Sequence, residues 1–211
     1  MEKDYKYYHL YNRGCNRELI FFKDDHYRLL LRKIKENYQR FSLRIIAYCL
    51  MPNHYHLMVG VPVAEPSEGL NMRFTQNGNL SYQLTEGSVA LSRFMQRVFN
   101  GYVQAVNIDM HRKGTLFESK YKSIVIDKEE YLLQLVRYIH INPVLAGLCT
   151  NPEDWEYSNC KEWLGLRKGI LFDSEFFGTY FQTNEQYREF INSYKEEKLT
   201  QKEIKRFWID W

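Results

Sequence analysis

A chain of 211 residues, 45% hydrophobic and 16% aromatic with 17 Tyr and 13 Phe, can bury the core of one domain with an appendage, which excludes a disordered protein. Its apolar runs fall well short of the roughly 20 residues a membrane helix needs, and the opening MEKDYKYY lacks the apolar stretch of a signal peptide. A cytoplasmic protein with no membrane partner is expected. The net charge of +3 is unevenly spread, at +5 over residues 1–60, +1 over 61–150 and −3 over 151–211, so the basic part could meet a phosphate backbone and the tail is mildly acidic.

The first element in chain order is a strand in YKYYHLYNRG, closed by Gly14, followed by a short apolar piece, LIFF, that ends at Lys23. Asp24 is positioned as an N-cap, and Tyr27, Leu30, Leu31 and Ile34 recur at helical spacing, which predicts an amphipathic helix over 25–38. SLRIIAYCLMPNHYHLMVGVP then holds two strand-like segments separated by Pro52 and Asn53, the pattern of a hairpin. Residues 64–85 are polar and rich in Gly and Asn, as in a long exposed loop. From Ser88 the apolar positions Leu91, Phe94, Met95, Val98, Phe99, Tyr102 and Val106 predict a long helix that ends near the basic turn HRKG.

KYKSIVID reads as a further strand, Asp127 as the cap of the helix KEEYLLQLVRYIHIN, and Pro143 as its terminator. Helices that follow strands singly, together with an antiparallel hairpin, predict an α+β, ferredoxin-like sandwich with helices on a small antiparallel sheet. Residues 1–150 would form this domain and 151–211 a largely helical C-terminal extension, with NEQYREFINSYKEEKL and QKEIKRFWIDW as one or two amphipathic helices. Cys15, Cys49, Cys149 and Cys160 show no CxxC spacing, which favours free thiols in a reducing compartment.

On the second hairpin strand the side chains alternate, so His54, His56, Met58 and Gly60 share one face. Two imidazoles separated by one residue on a strand can converge on a single divalent ion; they can equally be half-buried surface groups. On the last predicted helix Leu132, Leu135, Val136 and Ile139 form the core stripe. Tyr138 and Asn142, four residues apart, lie one above the other on its flank, at the accessible border of the core. His140 lies on nearly the opposite flank and is a poor third ligand. The Asn142 side-chain oxygen is a good one if its flank faces the His strand. On spacing alone Tyr138 is equally an ordinary boundary tyrosine.

Four segments, AYCLMPNHYHLMV (47–59), GTLFESKYKSIVID (114–127), YLLQLVRYIHINPVLAGL (131–148) and NPEDWEYSN (151–159), together with YHLYNRG, cover roughly residues 5–160. In this order they resemble the single-tyrosine transposases of the HUH class, and within them the REP-associated tyrosine transposases of bacteria. The resemblance implies a metal-dependent nuclease and strand transferase for single-stranded or hairpin DNA that works through a 5′-phosphotyrosine. It gives Tyr138 the role of nucleophile and His54, His56 and Asn142 that of ligands to Mg²⁺ or Mn²⁺. The family's tryptophan in its G-x-x-W segment is Phe117 here, which keeps an aromatic ring, and the tail beyond residue 160 lies outside the resemblance. Relatives act as monomers or as homodimers, some of which exchange the tyrosine helix.

Contacts to DNA are expected from Asn12, Arg13, Arg112, Lys113, Lys120, Tyr121 and Lys122, where cations interleave with aromatics suited to stacking on exposed bases. The competing function is a DNA-binding module that no longer cleaves. A metal-free phosphoesterase would need a second His-x-His, and the sequence holds only one.

Overall fold

The computed structural model describes residues 5–63 and 86–195. The first strand, β1, runs Tyr5–Arg13 and is followed by helix α1, Asp24–Asn37. The hairpin consists of β2, Arg44–Met51, and β3, His54–Pro62. Helix α2, Glu86–Asp109, leads to strand β4, Lys122–Ile126, and then to helix α3, Glu129–Leu145. The four strands form one antiparallel sheet in the order β2-β3-β1-β4. With the chain order βαββαβ this is the expected ferredoxin-like arrangement, in which the two middle strands come from different halves of the motif.

The sheet is covered on both sides, which explains why β2 and β3 are apolar at nearly every position rather than at alternate ones. On one side α1 and α2 bury Tyr27, Leu30, Ile34, Phe94, Val98 and Tyr102 against Leu10, Ile45, Tyr55 and Leu57. On the other side α3 buries Leu132, Leu135, Val136 and Ile139 against Tyr7, Ile46, Ala47 and Met58. A register shift between Ile45 and Ala47 turns Ile46 and Ala47 to this same side.

Three short helices close over α3: α4 (Cys160–Trp163), α5 (Ser174–Tyr180) and α6 (Asn184–Asn192), with Trp163, Phe176 and Tyr187 as their buried anchors. The helix α6 falls within the first predicted C-terminal segment. The loop predicted at 64–85 and the segment from residue 196 onward lie outside the described residues. Among the described residues no helix is long and apolar enough to cross a membrane.

In the LIFF piece Ile20 and Phe21 donate their backbone N–H groups to the Pro52 carbonyl, at 2.9 and 3.1 Å. Several local expectations are corrected. The caps of α1 and α3 are Lys23 and Lys128, without side-chain hydrogen bonds. Asp24 lies in the first turn of α1 with Asp25, and Asp127 lies before the cap of α3, whose first turn carries Glu129 and Glu130; the acids in both first turns favour the helix dipole. Pro143 does not end α3. It removes one N–H, but the helix continues to Leu145 and stops where Gly147 turns left-handed at φ 69°. There the Leu148 N–H reaches the Pro143 carbonyl at 2.9 Å and the Gly147 N–H the Val144 carbonyl at 3.0 Å, a paired closure of the last turn that needs glycine at this position.

Candidate functional site

The turn at Pro52 and Asn53 starts β3 so that His54 and His56 face α3, while Tyr55 and Leu57 face α1 and α2. Pairing places Arg13 opposite His54 and Tyr11 opposite His56 on β1, and Met51 and Cys49 opposite them on β2. The next turn of α3 brings Asn142 against both rings. Its Oδ1 is 3.3 Å from His54 Nε2, and its Nδ2 is 3.5 Å from His56 Nε2. One turn earlier, the Tyr138 ring stands edge-on to His56, with ring centres 5.4 Å apart and planes at 80°. The four residues singled out in the sequence therefore meet at one point.

This site is drier than expected. Helical spacing places Tyr138 and Asn142 at an accessible border, but Tyr138 is only 4% exposed and Asn142 0%. Both pack against the histidines of β3, and elsewhere on α3 the C-terminal segment meets Arg137 and His140, which are buried as well. Arg137 reaches the Ser193 hydroxyl at 2.8 Å and lies over the Phe190 ring. His140 points away from the site, as its spacing requires: its Nε2 donates to Asn159 Oδ1 at 2.9 Å, and its Nδ1 accepts from the Tyr187 hydroxyl at 2.5 Å. Asn159 also accepts the Tyr48 N–H and donates to the Ile46 carbonyl, which ties the extension to β2.

Burial sets the charge state. It lowers the His54 pKa to about 4 and puts His56 well below its ordinary value, where the neighbouring His54 and His9 add to the effect. Both rings are therefore neutral at neutral pH. Burial also raises the Tyr138 pKa, opposed by the Asn142 amide, so the phenol keeps its proton.

A neutral imidazole has a single N–H. The Asn53 amide donates to the Arg17 carbonyl at 3.3 Å, which turns its Oδ1 toward His54 Nδ1 at 2.7 Å. Two amide oxygens thus face the single N–H of His54, Asn53 Oδ1 at 2.7 Å and Asn142 Oδ1 at 3.3 Å, and the shorter contact favours Nδ1 as the donor. Two imidazole nitrogens and an amide oxygen brought together in this way form a donor set suited to a divalent cation. Among the described residues no three His, Cys, Asp or Glu side chains group for a metal; the donors that meet here are two imidazoles and one amide.

The expected DNA contacts separate into three places. Arg13 and Lys122 share the face of the two histidines: Arg13 pairs with Glu118, and Lys122 extends over the Tyr11 ring, whose centre is 6.2 Å from that of His56. Asn12 is buried on the opposite face, donating to the Ser119 carbonyl at 2.8 Å. With Lys120 and Tyr121 it lines a cleft of about 360 Å³ walled by Tyr55, Phe99 and Phe117. Arg112 packs over Phe22, beside an exposed Lys113 at the end of α2.

Sequence reasoning missed His9, Tyr11 and Asn53. Alternation along β1 puts Tyr7, His9, Tyr11 and Arg13 on one face, but only the pairing of β1 with β3 shows that this face meets the histidines.

Comparison with known proteins agrees with the resemblance drawn from the motifs. The family model described as "Transposase IS200 like" matches residues 3–72, the part that carries β1 to β3 and both histidines but not α3. A Haemophilus influenzae protein that carries the name of a REP-associated tyrosine transposase is 22% identical over 125 residues, 59% of this chain. The chain spans 63% of that relative's length. A solved REP-associated tyrosine transposase bound to a REP hairpin aligns over 81% of this chain and 89% of its own, at a TM-score of 0.54 and 18% identity, and so shares the fold.

Proposed function

We propose that this chain, similar to the REP-associated tyrosine transposases in sequence and in fold, is a single-strand DNA endonuclease and strand transferase for hairpin or single-stranded DNA, with Tyr138 as nucleophile. The observation that carries this reading is the meeting of Tyr138 and Asn142 with His54 and His56 on the covered face of the sheet. His54, His56 and Asn142 would hold Mg²⁺ or Mn²⁺, which when bound supplies positive charge to polarise the scissile phosphate and to ease formation of the phenolate.

The Tyr138 oxygen attacks phosphorus, the bond from phosphorus to the 3′ oxygen breaks, and a 5′-phosphotyrosine forms. The proton lost by the phenol is balanced by the one gained on the free 3′-hydroxyl. One phosphodiester is exchanged for another, so a second 3′-hydroxyl can reverse the step without a nucleotide cofactor. Burial raises the Tyr138 pKa, so a cation held at the site would have to favour the phenolate. The Tyr138 ring lies beside His56 of its own chain.

The test uses the full chain with a panel of 3′-labelled single-stranded hairpins and Mn²⁺, and looks for a label that stays with the protein in denaturing gels. A covalent band that disappears with chelator is expected. No band across a broad panel would sink the nuclease and leave the binding module.

Lys122, on the face of the site, is placed to meet the backbone. Lys122→Ala should weaken binding to all single-stranded sequences alike and reduce the slope of log affinity against log salt by about 1. Fluorescence anisotropy over a salt series measures this, and an unchanged slope would remove Lys122 from the interface.

A further inference from the structure

Beside the proposed ligand pair lies a third imidazole with no assigned role. His9, on β1, is fully buried and faces α3 in the strand next to β3. Its Nε2 lies 2.9 Å from His56 Nδ1, and the two rings stack with centres 5.1 Å apart and planes at 18°. The Tyr11 ring packs on His9 at 4.8 Å. We infer that His9 is a positioning residue: it accepts the Nδ1–H of His56 and so selects the tautomer whose Nε2 lone pair faces Asn142. The inference rests on the reading of His54, His56 and Asn142 as a metal-binding set.

Between two neutral imidazoles a single N–H is shared at the contact. If His9 donated, His56 would carry its own proton on Nε2, directed at Asn142, and could offer a cation nothing there. If His56 donates, its Nε2 is a ligand, and His9 carries its own single proton on Nδ1. His54 meets the same requirement through Asn53, which accepts from Nδ1 at 2.7 Å. Each ring of the pair is thus held at Nδ1 by a neighbour from a different element, the hairpin turn for one and β1 for the other, while both Nε2 atoms face one amide. A neutral partner suits this place: a carboxylate in the same position would have to be stripped of water at a large cost.

Two substitutions separate positioning from packing. His9→Phe keeps a ring to stack and removes the acceptor; His9→Gln restores an acceptor at the end of a side chain of similar reach. Isothermal titration of the full chain with Mn²⁺ should show affinity about ten- to a hundredfold weaker in His9→Phe and close to wild type in His9→Gln. Nitrogen NMR of the histidine side chains, without metal, should show His56 protonated at Nδ1 in the wild type and at Nε2 in His9→Phe.

A folded His9→Phe that binds Mn²⁺ like the wild type would overturn the inference, as would a His9→Gln no better than His9→Phe. So would a wild type with His56 protonated at Nε2, a measurement that holds even if the Phe variant fails to fold. If the wild type binds no Mn²⁺ while His56 is protonated at Nδ1, the metal reading falls and the assignment of the His9 contact stands.

Discussion

Replacing Tyr138 by phenylalanine is expected to abolish the covalent adduct with labelled single-stranded DNA, by about 10⁴-fold or more, while leaving DNA binding intact. The change removes one oxygen from a side chain that is 4% exposed and keeps the ring that stands edge-on to His56. No cavity opens, so the fold should lose only about 1 kcal/mol with the hydrogen bond to Asn142. A loss of adduct with unchanged anisotropy binding and an unchanged unfolding transition would place the missing step in chemistry. An adduct at wild-type yield would end the assignment and turn attention to Tyr11, the other tyrosine ring close to His56, at 6.2 Å.

What was legible in the sequence is what periodicity determines. The two-residue spacing of His54 and His56 fixes a common face on any strand, and the four-residue spacing of Tyr138 and Asn142 a common flank on any helix. The hairpin and the long helix follow from the same reasoning, with Pro52 and Asn53 marking the turn. Periodicity does not say what covers a face.

Helical spacing gives α3 one apolar stripe and an open flank, yet Arg137 and His140 are as buried as Leu135, because Ser193, Asn159 and Tyr187 arrive from later in the chain to bond them. Asn12, expected as a DNA contact at a strand end, is buried and braces the chain at Ser119, a bond that strand periodicity does not foretell. His9 was invisible as a partner of His56 because neighbouring strands are a matter of tertiary pairing. Pro143 misled for a different reason: near a helix end the lost N–H is one bond among several, and the stop belongs to the residue that can turn left-handed, Gly147.

The dryness of the site predicts a sharp sensitivity to acid. Burial lowers the pKa of His9 to about 3 and those of His54 and His140 to about 4, and it puts His56 well below its ordinary value. In the unfolded chain each returns to about 6.5. Below that pH the unfolded state takes up protons that the folded state refuses, so the stability these groups contribute is complete above about pH 6.5 and falls as the pH drops toward the folded values. Once below its unfolded pKa, a single such histidine costs roughly 1.4 kcal/mol per pH unit, and several act together against a total stability of about 5–15 kcal/mol.

The carboxylates with lowered values, Asp109, Glu118 and Glu156 among them, lose their contribution only below their unfolded pKa, near pH 4, which leaves the interval between pH 6.5 and 5 to the histidines. Urea unfolding at a series of pH values should therefore show the midpoint falling steeply between pH 6.5 and 5, with cooperative unfolding in the absence of denaturant close to the lower end. Replacing His140, which lies outside the proposed ligand set, by Gln should make that fall shallower. A midpoint that stays level from pH 7 to 5 would mean that water reaches these rings and that the pocket around His54 and His56 is wet.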